Sequence, residues 1–157
     1  MKFKVLMSVV CGVMVWSAPL FAQDAAQVSD EELKKYAVAM DSISELQAVL
    51  AGKIKEMVTT NTTGVTAARY NELFKIINDE GKLIEANATP DEIRFVKEVI
   101  TKREEGTAKI KETYQLLAKE YVGATSFNKV KKALASDEGL KTKYQTMIDE
   151  LAKDNGI

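Results

Sequence analysis

The chain has 157 residues, of which 46% are hydrophobic and 29% are charged, and it contains no histidine. Its 22 basic and 23 acidic side chains give a net charge of -1. This balance argues against a nucleic-acid-binding protein, because such proteins carry an excess of Lys and Arg. The absence of His removes imidazole from any catalytic triad, proton shuttle or metal site. The apolar content argues against an acidic disordered tail, because it is sufficient for a packed core.

The first 22 residues are predicted to be an export signal. Lys2 and Lys4 precede an uncharged apolar run from Val5 to Trp16, and Ala22 is a small residue at the expected cleavage site. This run is shorter than the roughly 20 apolar residues that a membrane-spanning helix needs. We therefore expect cleavage after residue 22, with no integral membrane span in the mature chain.

The mature chain is predicted to be periplasmic or secreted. Cleavage removes Cys11, the one cysteine of the sequence, together with two lysines, and the net charge becomes -3. The mature protein then has neither Cys, His nor Trp. We expect no disulfide and therefore a fold that is stabilised by packing alone.

The first long helix is predicted to follow a polar leader at residues 23–28. Ser29 and Glu32 have the spacing of a capping box, in which each side chain accepts a hydrogen bond from the other residue's backbone amide. Apolar residues then recur at intervals of three and four, which predicts a helix with one apolar stripe. The helix is expected to end in the Thr-rich segment before Gly64. The stripe consists of Leu33, Tyr36, Met40, Ile43, Leu50, Ile54 and Met57, and Gln47 interrupts it.

A second long helix is predicted after residue 89. Thr89 and Glu92 have the spacing of another capping box, and Pro90 occupies the first helical position, where its missing N–H is not needed. Arg103 lies in the middle of the second apolar stripe, as Gln47 does in the first. The stripe consists of Ile93, Val96, Ile100, Arg103, Thr107, Ile110, Tyr114, Leu117 and Tyr121.

Shorter helices are predicted at residues 66–78, 82–86, 125–135 and 137–153. No segment alternates apolar and polar residues with a period of two, so strands are not expected. The predicted fold class is all-α, a helical bundle of two long amphipathic helices and three to four shorter ones.

The order of short motifs indicates an internal duplication within one helical domain, residues 29–157. Repeat one covers about 29–88 and repeat two about 89–157. Three motif pairs occur in the same order in the two repeats. They are Lys53-Ile54-Lys55-Glu56 with Lys109-Ile110-Lys111-Glu112, Tyr70-Asn71 with Phe127-Asn128, and Asp79-Glu80-Gly81 with Asp137-Glu138-Gly139.

These motifs resemble an exported bacterial family called domain of unknown function 4168. The resemblance rests on the capped opening that begins at Ser29, on the Tyr70-Asn71 helix start and on the closing segment from Asp79 to Leu83. It covers most of the mature chain as two tandem copies, of which the second is more degenerate. The resemblance implies a helical fold in the cell envelope, and it implies no activity.

The charged residues favour a non-enzymatic protein without cofactors or bound metal. Glu31 and Lys35 are one of several pairs at i,i+4, a pattern typical of a solvated helix face. The Asp-Glu-Gly segments lack the alternating ligands of a calcium loop, so we expect them to form turns and helix N-caps.

Most aromatic residues are expected to pack in the core, and a second apolar edge is expected of a helix that contacts two neighbours in a bundle or also dimerises. Three apolar residues that lie off the stripes are the candidates for an interaction surface. Leu46 and Val49 give the first helix a second apolar edge, and Phe95 lies off the stripe of the second helix. We expect a protein partner and an envelope interaction or structural role. The alternative is a periplasmic holding chaperone that binds apolar segments of unfolded proteins. A homo-oligomer that uses the second apolar edge also remains open.

Overall fold

The computed structural model describes residues 27–154, and all regular elements in this range are helical. The two long helices confirm the predicted all-α bundle. The predicted export signal lies outside the described residues. The helices are α1 (Asp30–Thr60), α2 (Ala67–Ile76), α3 (Glu80–Glu85), α4 (Pro90–Leu116), α5 (Ala124–Ser136) and α6 (Glu138–Asp154), with a π-helical turn at Leu117–Tyr121.

Both long helices begin at the predicted capping boxes. The Ser29 hydroxyl accepts a hydrogen bond from the Glu32 amide at 3.2 Å, and the Glu32 carboxylate accepts one from the Ser29 amide at 2.9 Å. Thr89 and Glu92 form the same reciprocal pair at 3.2 and 2.8 Å. Four otherwise unpaired backbone N–H groups are thereby satisfied at the starts of α1 and α4.

The two Asp-Glu-Gly segments begin α3 and α6, as expected of N-caps. Asp79 Oδ1 accepts the backbone N–H of Lys82 at 3.1 Å, and Asp137 Oδ1 accepts that of Leu140 at 2.9 Å. A Cβ atom added at Gly139 would lie 3.3 Å from Asp137 Oδ1. Glycine at this position therefore lets the capping carboxylate approach the helix without crowding.

α1 and α4 lie antiparallel, and an apolar cluster closes each end of the pair. Cluster A joins the C-terminal part of α1 to α2, α3 and the N-terminal part of α4. Cluster B joins the N-terminal part of α1 to the C-terminal end of α4, α5 and α6. The short helices of each half of the chain thus cover the first turns of the long helix from the other half. The buried residues of cluster A are Val58, Val65, Tyr70, Leu73, Ile77, Leu83, Phe95, Val96 and Val99, and those of cluster B are Leu33, Tyr36, Ala39, Val122, Phe127 and Val130.

Aromatic rings fill cluster B. The Phe127 ring centroid lies 4.9 Å from that of Tyr36 and 5.6 Å from that of Tyr114, the second pair edge to face. Tyr144 of α6 lies edge to face against Tyr36 at 5.8 Å. Such contacts stabilise the fold beyond the burial of apolar area alone. The rings therefore stabilise the packing of α1, α4, α5 and α6 against one another.

The loop between α1 and α2 is organised by the side chain of Asn61. Its Nδ2 donates hydrogen bonds to the backbone carbonyls of Val58 and Val65, each at 2.8 Å. Its Oδ1 accepts from the backbone amides of Thr63 and Val65, each at 3.1 Å. The loop therefore satisfies a carbonyl at the end of α1 and holds Val65 in cluster A, where it is 3% exposed.

Burial along α4 departs from the predicted stripe. Phe95 and Val99 are buried although they lie off the stripe, because the N-terminal part of α4 packs against both α1 and α2 in cluster A. Tyr121 is exposed although the pattern placed it on the stripe. It lies in the π-helical turn, whose wider hydrogen-bond spacing shifts the angular phase of the residues.

Truncation of Leu73 is expected to destabilise the fold. Leu73 is fully buried in cluster A, so Leu73→Ala removes apolar contacts and leaves a cavity. We expect a loss of about 2–5 kcal/mol in the free energy of unfolding, measured by urea denaturation. The control is Ile84→Ala, at a side chain that is 71% exposed, with an expected change of about 0.5 kcal/mol or less. Equal losses for the two variants would contradict the assignment of cluster A.

Candidate functional site

Two apolar grooves flank the seam between α1 and α4, and the second of them reaches into cluster A. The first, which we call the Leu46 groove, has a volume of about 760 Å³ and is formed by α1 and α4. The second, the Tyr70 groove, has a volume of about 650 Å³ and also includes α2. Both volumes fall in the range of roughly 300–1,000 Å³ typical of ligand sites. The residues common to both linings are Leu50, Ile54 and Ile110, which form the seam itself.

Gly106 allows α1 and α4 to approach closely at this seam. A Cβ atom added at Gly106 would lie 2.4 Å from Leu50 Cδ1 and 2.9 Å from Leu50 Cδ2. The Leu50 side chain therefore occupies the space that any other residue at position 106 would need. The sequence offered one signal for this contact, a glycine inside a helix, because glycine weakens a helix interior by about 1 kcal/mol relative to alanine.

The predicted surface residues Leu46 and Val49 both line the Leu46 groove. Leu46 is 39% exposed and Val49 is 53% exposed, so much of both side chains contacts solvent. Charged residues of both signs surround them, and Lys102 and Glu105 form an ion pair at 2.9 Å on the α4 side. The charged residues in the lining are Lys53, Glu56, Lys102, Glu105 and Lys109.

The prediction that Phe95 belongs to the exposed surface is corrected by the structure. Phe95 is 7% exposed and packs in cluster A beside Val96 and Val99. Its remaining exposed edge lies in a separate shallow groove next to the α1–α2 loop, away from Leu46 and Val49. A residue off the main stripe is buried here because the C-terminal end of α1 and the α1–α2 loop lie beside it in cluster A.

The eight repeat-motif positions do not form one site. Tyr70 and Asn71 line the Tyr70 groove, whereas Phe127 lies in cluster B and Asn128 is exposed on α5. The remaining positions, Asp79, Gly81, Asp137 and Gly139, belong to the capped starts of α3 and α6.

Arg103, predicted only as the polar member of a stripe, reaches across the Tyr70 groove. Its Nη2 donates a hydrogen bond to Tyr70 Oη at 3.3 Å. Its Cζ lies 4.9 Å from the centroid of the Phe74 ring, a cation–π contact. Gln47, the polar member of the other stripe, lines the same groove. Gln47 and Arg103, the polar residues that interrupt the two apolar stripes, therefore line the same groove on one side of the seam.

Each capping-box glutamate also forms an ion pair with the other half of the chain. Lys129 Nζ of α5 lies 2.6 Å from a carboxylate oxygen of Glu32, and Arg69 Nε of α2 lies 2.8 Å from one of Glu92. The Lys129 ammonium and the Ser29 amide hold the pKa of Glu32 down, from 4.5 to about 2. The Arg69 guanidinium and the Thr89 amide lower the pKa of Glu92 likewise, from 4.5 to about 2.

Comparisons with family models, curated proteins and solved structures give no significant match to this chain. The resemblance to domain of unknown function 4168 therefore stays a prediction. Within residues 27–154, no three acidic, cysteine or histidine side chains are grouped so as to bind a metal ion. No helix in that range combines the length and the apolar character required to cross a bilayer.

The contact between Gly106 and Leu50 can be tested with a double-mutant cycle. Gly106→Ala gains helix propensity but crowds Leu50, whereas in a Leu50→Ala background the same change has room. We expect Gly106→Ala to raise the free energy of unfolding by about 1 kcal/mol in the Leu50→Ala background, and by clearly less in the wild type.

The matched control for this cycle is Gly52→Ala. Gly52 is exposed in α1, and an added Cβ there has no neighbour within 4 Å. This substitution should stabilise by about 1 kcal/mol in both backgrounds. A Gly106→Ala effect that is the same with and without Leu50 would contradict the close approach.

The Glu92 ion pair should make the free energy of unfolding depend on pH. Because the folded-state pKa of Glu92 is lowered, its contribution is fully present above pH 4.5 and is lost as the pH falls toward about 2. The difference in free energy of unfolding between wild type and Glu92→Gln, measured with urea, should therefore be largest at pH 7 and shrink near pH 2. Glu104→Gln, at an exposed position of α4, should show no such change. A difference for Glu92→Gln that is constant with pH would contradict the pairing.

Proposed function

We propose that the protein is an exported, non-enzymatic interaction module of the cell envelope, which binds a protein partner in the Leu46 groove. The observation that carries this proposal is the exposure of Leu46 and Val49 at a groove of about 760 Å³. These side chains lie on a well-formed helix but pack in neither apolar cluster. A groove of this kind between two helices suits the apolar face of an amphipathic helix.

Charged residues of both signs line the Leu46 groove, so we expect a partner whose binding face also carries both signs of charge. Lys53 and Glu56 lie on the α1 side, and Lys102, Glu105 and Lys109 lie on the α4 side. An apolar centre with a charged rim is the usual composition of a protein-binding surface. The predicted export signal and the lack of Cys and His in the mature sequence support the envelope location and the non-enzymatic role.

A holding chaperone is the second candidate, because apolar grooves lie on both sides of the same helix pair. Two open apolar surfaces of this size would bind extended apolar segments with little sequence preference. The chaperone function predicts suppression of aggregation of a denatured client at a near-stoichiometric ratio. A dedicated module predicts no suppression.

The test is site-specific photo-crosslinking in the native envelope, with the crosslinking residue at position 49. We expect one or two proteins at fixed stoichiometry, and about tenfold less product when Leu46→Asp is added. The matched control places the same residue at position 84 of α3, which is 71% exposed and remote from the groove.

Three results would contradict the dedicated module. A broad range of unrelated clients would support the chaperone, a crosslink to a second copy alone would make the groove a dimer interface, and equal products from positions 49 and 84 would remove any role for the groove. Leu46→Asp should leave the melting temperature almost unchanged, because Leu46 packs in neither cluster.

A further inference from the structure

The Tyr70 groove differs from the Leu46 groove in the charges of its lining. Its walls are mainly aliphatic, and its charged lining residues are Lys55 and Arg103. No Asp or Glu of the described chain lines it, whereas Glu56 and Glu105 line the Leu46 groove. An apolar cavity with only cationic side chains is complementary to an apolar molecule that carries a negative charge.

Arg103 retains most of its hydrogen-bonding capacity. A guanidinium has five N–H donors, and within residues 27–154 the protein acceptor bonded to that of Arg103 is Tyr70 Oη. No carboxylate of the described chain forms an ion pair with Arg103. Arg69 of α2 is the opposite case, because it bonds to Glu72, Glu92 and the carbonyl of Ala86.

The Arg103 guanidinium is also held in place. The Tyr70 hydroxyl accepts from one nitrogen, and the Arg103 Cζ lies over the Phe74 ring, 4.9 Å from its centroid. A planar guanidinium that is fixed on one edge presents its other N–H groups in the fork that matches a carboxylate. The half-buried position of Arg103 strengthens such a bond, because less water competes for it.

The apolar part of the groove continues along the seam. A second trough of about 480 Å³ shares Gln47, Thr107 and Ile110 with the Tyr70 groove and leads toward Met40 and Tyr114. The distance along α1 from Val58 to Met40 is about 27 Å, from the helical rise per residue. The site is therefore elongated, which suits an extended alkyl chain better than a compact ring system.

The corresponding region of cluster B is closed by aromatic rings. Phe127, which the sequence aligns with Tyr70, packs edge to face against Tyr114 of α4. Tyr70 instead contacts Phe74 and the guanidinium of Arg103, and Ile54 and Ile110 line the space beside it. The open apolar space beside Arg103 therefore lies next to α2, at the end of the bundle that contains cluster A.

We propose that the Tyr70 groove binds a free fatty acid, with the carboxylate on Arg103 and the alkyl chain along Leu50 and Ile110 toward Met40. The carboxylate accepts two hydrogen bonds from the guanidinium, and Lys55 and Asn71 lie at the lining to complete the polar end. Each buried methylene adds to affinity through the apolar area that it removes from water. The site is distinct from the Leu46 groove and does not rest on the function proposed for it.

The experiment is isothermal titration calorimetry of the delipidated protein with palmitate below its micelle concentration. We expect one palmitate per chain, with weaker binding of dodecanoate and then octanoate, by up to about tenfold for each pair of methylenes removed. Hexadecanol has the same alkyl chain without the charge and should bind at least about tenfold more weakly than palmitate.

Two variants test the two parts of the site. Arg103→Gln should weaken palmitate about tenfold to a hundredfold and should leave hexadecanol unchanged, whereas Arg94→Gln on the exposed surface of α4 should change neither. Ala51→Phe adds a ring to the apolar lining of the groove and leaves the Arg103 side chain itself unchanged, so it should weaken palmitate and hexadecanol alike. Ala108→Phe, an exposed change outside the lining of the grooves, is its matched control.

Failure of this proposal is distinguishable from failure of the proposed partner site. Leu46→Asp should retain palmitate binding, because Leu46 does not line the Tyr70 groove. Absence of palmitate binding, equal affinity for palmitate and hexadecanol, or an unchanged affinity in both Arg103→Gln and Ala51→Phe would each overturn the fatty-acid site. A ligand-independent dimer in light scattering that Ala51→Phe dissociates would overturn it in favour of a second copy in the groove.

Discussion

The antiparallel packing of α1 against α4 is the constraint on which the other features of the structure depend. Each long helix covers the other along one stripe, and at the seam Gly106 leaves room for Leu50. The short helices add further cover only at the two ends, in clusters A and B. Toward the middle of the pair, apolar side chains along the α1–α4 contact therefore have less cover from the short helices. The two grooves are the result.

The two capping-box glutamates connect the starts of the long helices to the packing of the whole chain. Glu32 and Glu92 each accept a backbone N–H at a helix start and also pair with a cation from the other half. A single carboxylate thus has a local and a tertiary role in each case. Because these carboxylates remain about 22% and 18% exposed, solvent moderates each ion pair, and the apolar clusters remain the main source of stability.

The sequence was sufficient to predict where the helices begin and which faces they bury, but it was not sufficient to predict the side-chain contacts of the candidate sites. Ser29 and Thr89 identify helix starts because a capping box is a local contact over three residues, and the spacing of apolar residues identifies the faces. The burial of Phe95 could not be predicted from such patterns, since it depends on packing against residues that are distant in sequence, at the end of α1 and in the α1–α2 loop. The same limit applies to Arg103, whose contacts with Tyr70 and Phe74 join residues about thirty positions apart. Leu46 and Val49 lie off their stripe as Phe95 does, and they remain exposed because they pack in neither apolar cluster.

The hydrogen bonds of Asn61 have a consequence for covalent modification. Asn61-Thr62-Thr63 and Asn87-Ala88-Thr89 both have the form of an N-glycosylation sequence. The Asn61 amide donates both of its hydrogens to backbone carbonyls, so a sugar on this nitrogen would break one bond and open the loop that holds Val65. Asn87 is exposed, and its amide makes one long contact, 3.4 Å, with the carbonyl of Glu85. In a host that attaches glycans to folded exported proteins, the sugar would be found on Asn87 and not on Asn61.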